Sequence, residues 1–235
     1  MNLPVQLPLG VQLRDEATFA NFYSEGNETL INLLDRDRME PEIEPEQFVF
    51  IYGGQGVGCS HLLQAACHQG DKSGIRSIYL PFKELINYSP QLLEGIERLQ
   101  LVCIDDIHEV AHIAEWEEAI FDLFNRLRES KTRLIIAGHT APRSLGIQLQ
   151  DLVSRLSWGI VFQVKPLDDR EKVAALQLRA RLRGLEMGEE VARFIVYRSS
   201  RNMLRLFSVL QRLDSASLRA KRKLTIPFVK QVMEW

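Results

Sequence analysis

Three cysteines in 235 residues, Cys59, Cys67 and Cys103, are too few for a disulfide framework and lack paired metal-type spacing. Their odd number fits reduced thiols in a cytoplasmic protein. No apolar run approaches about 18 residues, and no basic start is followed by an apolar stretch. A membrane span and a signal peptide are therefore not expected. Internal repeats and low-complexity tracts are also missing. The most telling absence is a single lysine. Gly53-Gly54-Gln55-Gly56-Val57-Gly58-Cys59-Ser60 keeps the spacing of a phosphate-binding loop at Gly53, Gly58 and Ser60, but Cys59 stands where the lysine belongs. The loop still offers backbone N–H groups to a polyphosphate, and Ser60 still offers a hydroxyl to Mg²⁺. It has lost the cation that reaches the outer phosphates and supports their transfer.

What is present is an ordinary globular composition, 46% hydrophobic and 26% charged, in a chain long enough for one large or two small domains. Net charge is only −2, but it is unevenly spread. Residues 168–235 hold 15 Lys or Arg against 8 Asp or Glu, and residues 1–167 hold 14 against 23. The asymmetry suggests two domains and an anionic partner, or simply a solvated basic helix face.

Apolar runs at Val49–Tyr52, Ser77–Leu80, Leu99–Ile104, Leu134–Gly138 and Ile160–Val164 read as strands alternating with helical segments. Trp116, Ile120, Phe121, Phe124 and Leu127 recur at helical spacing. Continuous apolar strands indicate a parallel sheet covered on both faces, an α/β fold. After Pro166 the strand signals stop. Asp168 can cap a helix that Gly184 ends, and further helices are expected at 188–199, at 202–218 and after Pro227. The expected organisation is an extended tail over residues 1–14, an α/β domain over 15–166 and a small all-helical domain over 167–235.

Three candidate sites fall at the carboxyl ends of strands, where such sheets bind ligands. The loop and its following helix form the first. Asp105 and Asp106 close the third strand, the first able to orient Mg²⁺ and the second to position an attacking water. Gly138-His139-Thr140 ends the fourth strand, where a polar side chain can sense a phosphate or close a turn. Arg155, just before the fifth strand, can project a fork of N–H donors onto phosphate oxygens. Gln6-Leu7-Pro8-Leu9, on the tail, has the form of a short segment that fits a partner's groove.

Together these residues resemble the initiator class of AAA+ ATPases, and within it the Hda family of DnaA-related inactivators of bacterial replication initiation. The resemblance covers nearly the whole chain. Thr18-Phe19-Ala20-Asn21-Phe22 is similar to the segment beside the family's adenine pocket. Gly53 to Leu63 is similar to its phosphate loop and Leu101 to Ile107 to its Walker B strand. Ser154-Arg155-Leu156-Ser157-Trp158-Gly159 is similar to the segment carrying its arginine finger, and Arg222 to Lys230 to the ending of Hda. Gln6 to Leu9 resembles the motif that binds the replicase sliding clamp, its β subunit.

The resemblance implies an AAA+ three-layer parallel sheet followed by a helical lid. It implies that Phe22, Gly54, Gln55, Gly56, Val57, Gly58, Cys59, Ser60 and His61 hold ADP or another nucleoside diphosphate, with Ser60 and Asp105 as ligands of any Mg²⁺. Arg155 would act in trans, with Asp106 as the catalytic carboxylate. The implied partners are the clamp and the DnaA initiator, with DNA reached indirectly through the clamp and a homodimer left open; no membrane is involved. The implied role is a cytoplasmic inhibitor of DNA replication that is not itself an enzyme. The chain departs from the pattern at Cys59, at His139 in place of an acidic sensor, and in the lid. There the sensor arginine would fall at Leu204, and Arg205 is one place off. No separate DNA-binding domain is expected. An autonomous AAA+ ATPase resembling a helicase loader and a nucleotide-binding adaptor without any role in hydrolysis are the alternatives.

Overall fold

The computed structural model describes residues 17–35, 44–200, 202–220 and 222–235. The segment Gln6 to Leu9 lies outside the described residues. Five strands, β1 (Phe48–Tyr52), β2 (Ser77–Pro81), β3 (Leu101–Asp105), β4 (Arg133–Gly138) and β5 (Ile160–Gln163), form one sheet in the order β2-β3-β4-β1-β5. All four pairings are parallel.

The alternation of side chains along each strand explains why the strands read as continuous apolar runs. Phe50, Val102, Ile104, Leu134 and Ile136 enter one core layer with α4 (Ala114–Glu129) and α5 (Gln150–Leu156). Val49, Ile51, Cys103, Ile135 and Ala137 enter the other with α1 (Glu28–Leu34) and α2 (Cys59–Lys72). Both faces of the central strands β1, β3 and β4 are covered, so their alternating positions are apolar along most of their length, whereas edge strand β5 exposes Val161 and Gln163. A short helix α3 (Phe82–Leu85) continues directly from β2.

After β5 the described elements are all helical: α6 (Asp169–Leu182), α7 (Glu189–Arg198), α8 (Met203–Ala220) and α9 (Ile226–Met233). They share their own core, built on Leu176, Ile195, Val196, Leu206, Leu210, Leu213, Phe228 and Val229. The start of α6 is fixed by a reciprocal cap. The Asp168 carboxylate accepts from Glu171 N–H at 2.8 Å, and the Glu171 carboxylate accepts from Asp168 N–H at 2.5 Å. Such a cap contributes about 1 kcal/mol. Buried Asn27 ties the strand exit to the N-terminal segment, donating to Lys165 O at 3.2 Å and accepting from Lys165 N–H at 2.9 Å. The helical part meets the sheet at the glycine-rich loop beyond β1, where Gly56 faces Asn202.

Candidate functional site

The loop leaves β1 with Gly53 N–H donating to Gly138 O at 3.3 Å, so it starts against the end of β4. It turns into α2 at Gly58, whose φ is +111°. A Cβ there would lie 2.6 Å from Phe22 Cε2, so the close approach of the aromatic ring and the left-handed backbone both require glycine. This turn leaves the first N–H groups of α2 facing the loop at the positive end of a helix, which suits an anion. Cys59 is the first residue of α2. Burial, with further help from Asp105 and Asp106, pushes its thiol up to about 12. The position usually held by a lysine therefore carries a neutral group under the influence of two carboxylates.

Asp105 is buried at the end of β3. One carboxylate oxygen accepts from the Tyr79 hydroxyl at 2.6 Å and the other from Asp106 N–H at 3.0 Å. The Tyr79 hydroxyl is pushed far above its usual value, by burial first and then by Asp105. Asp106 follows with a left-handed backbone, φ +54°, and ends the strand sharply. Desolvation, then Asp105 and Glu109, raise its carboxyl to about 6.

His139, exposed at the end of β4, meets the His108 ring edge-on with centroids 4.2 Å apart. Its basicity is lowered, by desolvation first and then by His108. His108 Nδ1 and Thr140 Oγ1 are buried and have no hydrogen-bond partner among the described residues. Glycines without room for a Cβ, open helix N–H groups and unpartnered polar atoms all fit a phosphate-bearing ligand. No cluster of three or more His, Cys, Asp or Glu among the described residues could hold a metal ion. A cation here would need oxygens from the nucleotide, as Mg²⁺ ordinarily does, with Ser60 and Asp105 as the protein's share.

Phe22 and His61 flank the loop, their rings 5.8 Å apart, and His61 Nε2 lies 2.9 Å from Thr18 O. The short 3₁₀ turn Phe19–Asn21 brings them there. Gly54 and Gln55 are exposed at the crown of the loop, while Gly56, Val57 and Ser60 are half-buried. The lid reaches the loop through a residue that the motif reading passed over. A Cβ on Gly56 would lie 3.2 Å from Asn202 Oδ1, which already accepts from Leu204 N–H at 2.8 Å as α8 begins. An asparagine ahead of a helix was legible as a cap; its contact with a loop about 146 residues earlier was not. Arg205 is exposed on the first turn of α8, where its carbonyl accepts from the Ser208 hydroxyl.

Arg155 stands apart from all of these. It lies on the last turn of α5, just before β5, and β5 runs parallel to β1 with Ile160 beside Val49 and Gln163 beside Tyr52. Arg155 is thus at the amino end of the strands and the loop at their carboxyl end, with about 10 Å of strand between them. Its guanidinium carbon sits 4.8 Å from the centre of the Trp158 ring and 5.9 Å from that of Phe121.

A glycine-rich loop at the carboxyl end of a central strand in this sheet order, followed by a helical domain that touches it, defines a nucleotide-binding protein of the AAA+ class. The chain belongs to the bacterial DnaA ATPase-domain family, whose model matches residues 13–163. Its helical part matches the model of the Hda lid domain over residues 169–233. Among solved structures, domain III of the Thermotoga maritima replication initiation protein DnaA is similar with a TM-score of 0.75 and 20% identity, over 95% of this chain and 98% of that one. AMPPCP-bound DnaA from Aquifex aeolicus gives 0.70 and 24%, over 86% of this chain and 66% of that one. The Thermotoga maritima RuvB Holliday junction branch migration motor gives 0.65 and 18%, over 90% and 68%. At these identities the structural likeness concerns the fold.

Proposed function

We propose that this chain is a negative regulator of bacterial replication initiation that promotes hydrolysis of ATP held by DnaA. Its own loop holds a nucleoside diphosphate, most simply ADP, through the backbone N–H groups of Gly54 to Ser60, with Phe22 and His61 beside the base. When Mg²⁺ is bound it neutralises phosphate charge, with Ser60 and Asp105 as its protein ligands. The lid, in contact with the loop at Asn202 and Gly56, is the part whose position the nucleotide would set. Gln6 to Leu9 binds the sliding clamp and raises the local concentration of the factor near its target. Arg155 stabilises the charge that develops on the phosphates in the partner's site. Asp106 stays as the catalytic-type carboxylate of this chain's own loop, and Arg205 as its lid cation.

The observation that carries this reading is the separation of charge from cradle. The loop has a neutral thiol where its cation should be, and the arginine best suited to phosphate sits at the opposite end of the strands. An arginine there is out of reach of its own loop and lies beside the exposed Trp158.

The test is reconstituted hydrolysis of DnaA-bound ATP with clamp, DNA and this chain, with and without ADP. Stimulation that requires the clamp and rises with ADP supports the proposal; no effect under any of these conditions leaves an adaptor without a role in hydrolysis. One observation favours the second reading, an autonomous ATPase resembling a helicase loader: both carboxylates, Asp105 and Asp106, remain at the strand end beside the loop. Turnover of ATP by the isolated chain, independent of DnaA, would select it.

A further inference from the structure

Arg155 is held without an ion pair. No carboxylate among the described residues lies within salt-bridge distance of its guanidinium, whose carbon instead lies over the Trp158 ring, 4.8 Å from its centre. Backbone geometry ties the two residues together, since Trp158 N–H donates to Arg155 O at 2.9 Å. The indole is 49% exposed, yet it is anchored from below. It stacks on Phe124 at 6.4 Å, and Phe124 stacks on Phe48 at 4.2 Å, both pairs inclined by only 19°. Gly159 fixes the chain directly after it, with φ +83° and no room for a Cβ, which would lie 2.3 Å from Phe48 O. A second guanidinium, that of Arg128, approaches the same indole at 5.6 Å.

The manner of holding matters for an arginine that must bind phosphate. An ion pair would occupy the N–H edge of the guanidinium. A contact with an aromatic ring leaves the N–H donors available to phosphate, while restricting the rotamers of a long side chain. We propose that Trp158 is the positioning residue of Arg155: it presents the guanidinium, N–H edge outward, to the phosphates of a nucleotide bound by a neighbouring subunit. This rests on the reading of Arg155 as a finger given in trans. Misplacement by about 1 Å can cost about a hundredfold in rate, so a residue that never touches the nucleotide can still govern the reaction.

The experiment compares Trp158→Ala, Trp158→Leu and Trp158→Phe with the parent chain and with Arg155→Ala, in stimulated hydrolysis of DnaA-bound ATP titrated with each factor. Circular dichroism and thermal melting report folding. The expected result for Trp158→Ala is a fall of about tenfold or more in the rate at saturating factor. The half-saturating concentration should move less than about threefold. Trp158→Phe keeps a ring face and should retain most of the rate; Trp158→Leu keeps apolar bulk without the face and should not. If Trp158→Ala fails to fold, the Phe and Leu pair carries the same decision. Parent-like rates in the Ala or Leu variants would overturn the inference, as would Phe and Leu variants that are equally impaired. So would a loss that disappears at high factor concentration, which marks an interface contact. Full stimulation by Arg155→Ala would instead remove the finger reading itself. An inactive Arg155→Ala beside an active Trp158→Ala removes only the positioning role.

Discussion

The two ends of the sheet invite comparison because they have exchanged characters. At the carboxyl end, where a P-loop protein concentrates positive charge, the loop presents a neutral Cys59, a buried Asp105 bonded to Tyr79 and an Asp106 whose carboxyl is raised to about 6. At the amino end of β5, two guanidiniums gather on one exposed indole. Binding geometry and catalytic charge are separable, because backbone N–H groups can cradle a phosphate without the cation that drives its transfer. The proposed function reads this arrangement as a chain that senses a nucleotide in one place and acts on one in another.

The sharpest way to break that comparison is Arg155→Ala. Stimulated hydrolysis in DnaA should fall by about 10³ or more. ADP binding to this chain, measured calorimetrically, should be unchanged, because the residue lies at the other end of the strands. A parallel loss of ADP binding would mean that the two ends are one site. The next largest effect is expected from Gln6→Ala combined with Leu9→Ala. Losing a tether removes effective concentration, about 10² in apparent potency. Clamp pull-down should disappear while stimulation at high factor concentration survives. Retained pull-down would remove the tail from the account.

Two glycines sharpen the comparison at the level of stability. Gly159→Ala forces a side chain onto a backbone at φ +83° and to 2.3 Å from Phe48 O, which has no way to move without breaking β1. The expected cost is about 3 kcal/mol in denaturant unfolding. Gly54→Ala meets no atom within 4 Å and should stay within about 0.5 kcal/mol. The end that carries Arg155 is thus rigid by construction, whereas the crown of the loop has room around it. Equal costs at the two positions would contradict this.

The sheet was legible because burial on both faces leaves an unbroken apolar signature, and β4 and β5 fall where Leu134–Gly138 and Ile160–Val164 suggested. The α6 start was legible for a local reason, the Asp168 cap. The strand-end positions of the loop, Asp105 and His139 followed from the same alternation of strand and helix. What could not be read were contacts made across the fold. Tyr79 reaches Asp105 only because β2 and β3 are neighbours, and Asn202 reaches Gly56 only because the lid folds back on the loop. Glu117 on α4 is buried, and its carboxylate accepts from the N–H groups of His112, Gln148 and Leu149, holding the loop ahead of α5 and hence the approach to Arg155. No local pattern announces a buried acid whose partners are distant backbone groups.

A further expected effect, about tenfold, tests the chemistry of the loop itself. Cys59→Lys returns the missing cation to a position already under the influence of Asp105 and Asp106, so the ammonium would have counter-charges waiting and would help keep the Asp106 carboxyl ionised. A charge-assisted bond from lysine to phosphate is worth about 1.5 kcal/mol, or about tenfold in affinity. Calorimetry should therefore show tighter binding of ADP and a larger gain for ATP, whose outer phosphate the lysine reaches. Stimulation of DnaA should change little, because Arg155 is untouched. The variant's own turnover should also remain low. On the family resemblance, His139 stands in place of an acidic sensor and Arg205 is one place off the sensor arginine, so the lysine alone should not complete the site. If the single lysine instead gave this chain rapid turnover of its own, the carboxyl end would be a catalytic centre one residue from completion. The contrast between a sensing end and an acting end would then be a matter of one side chain rather than of the architecture.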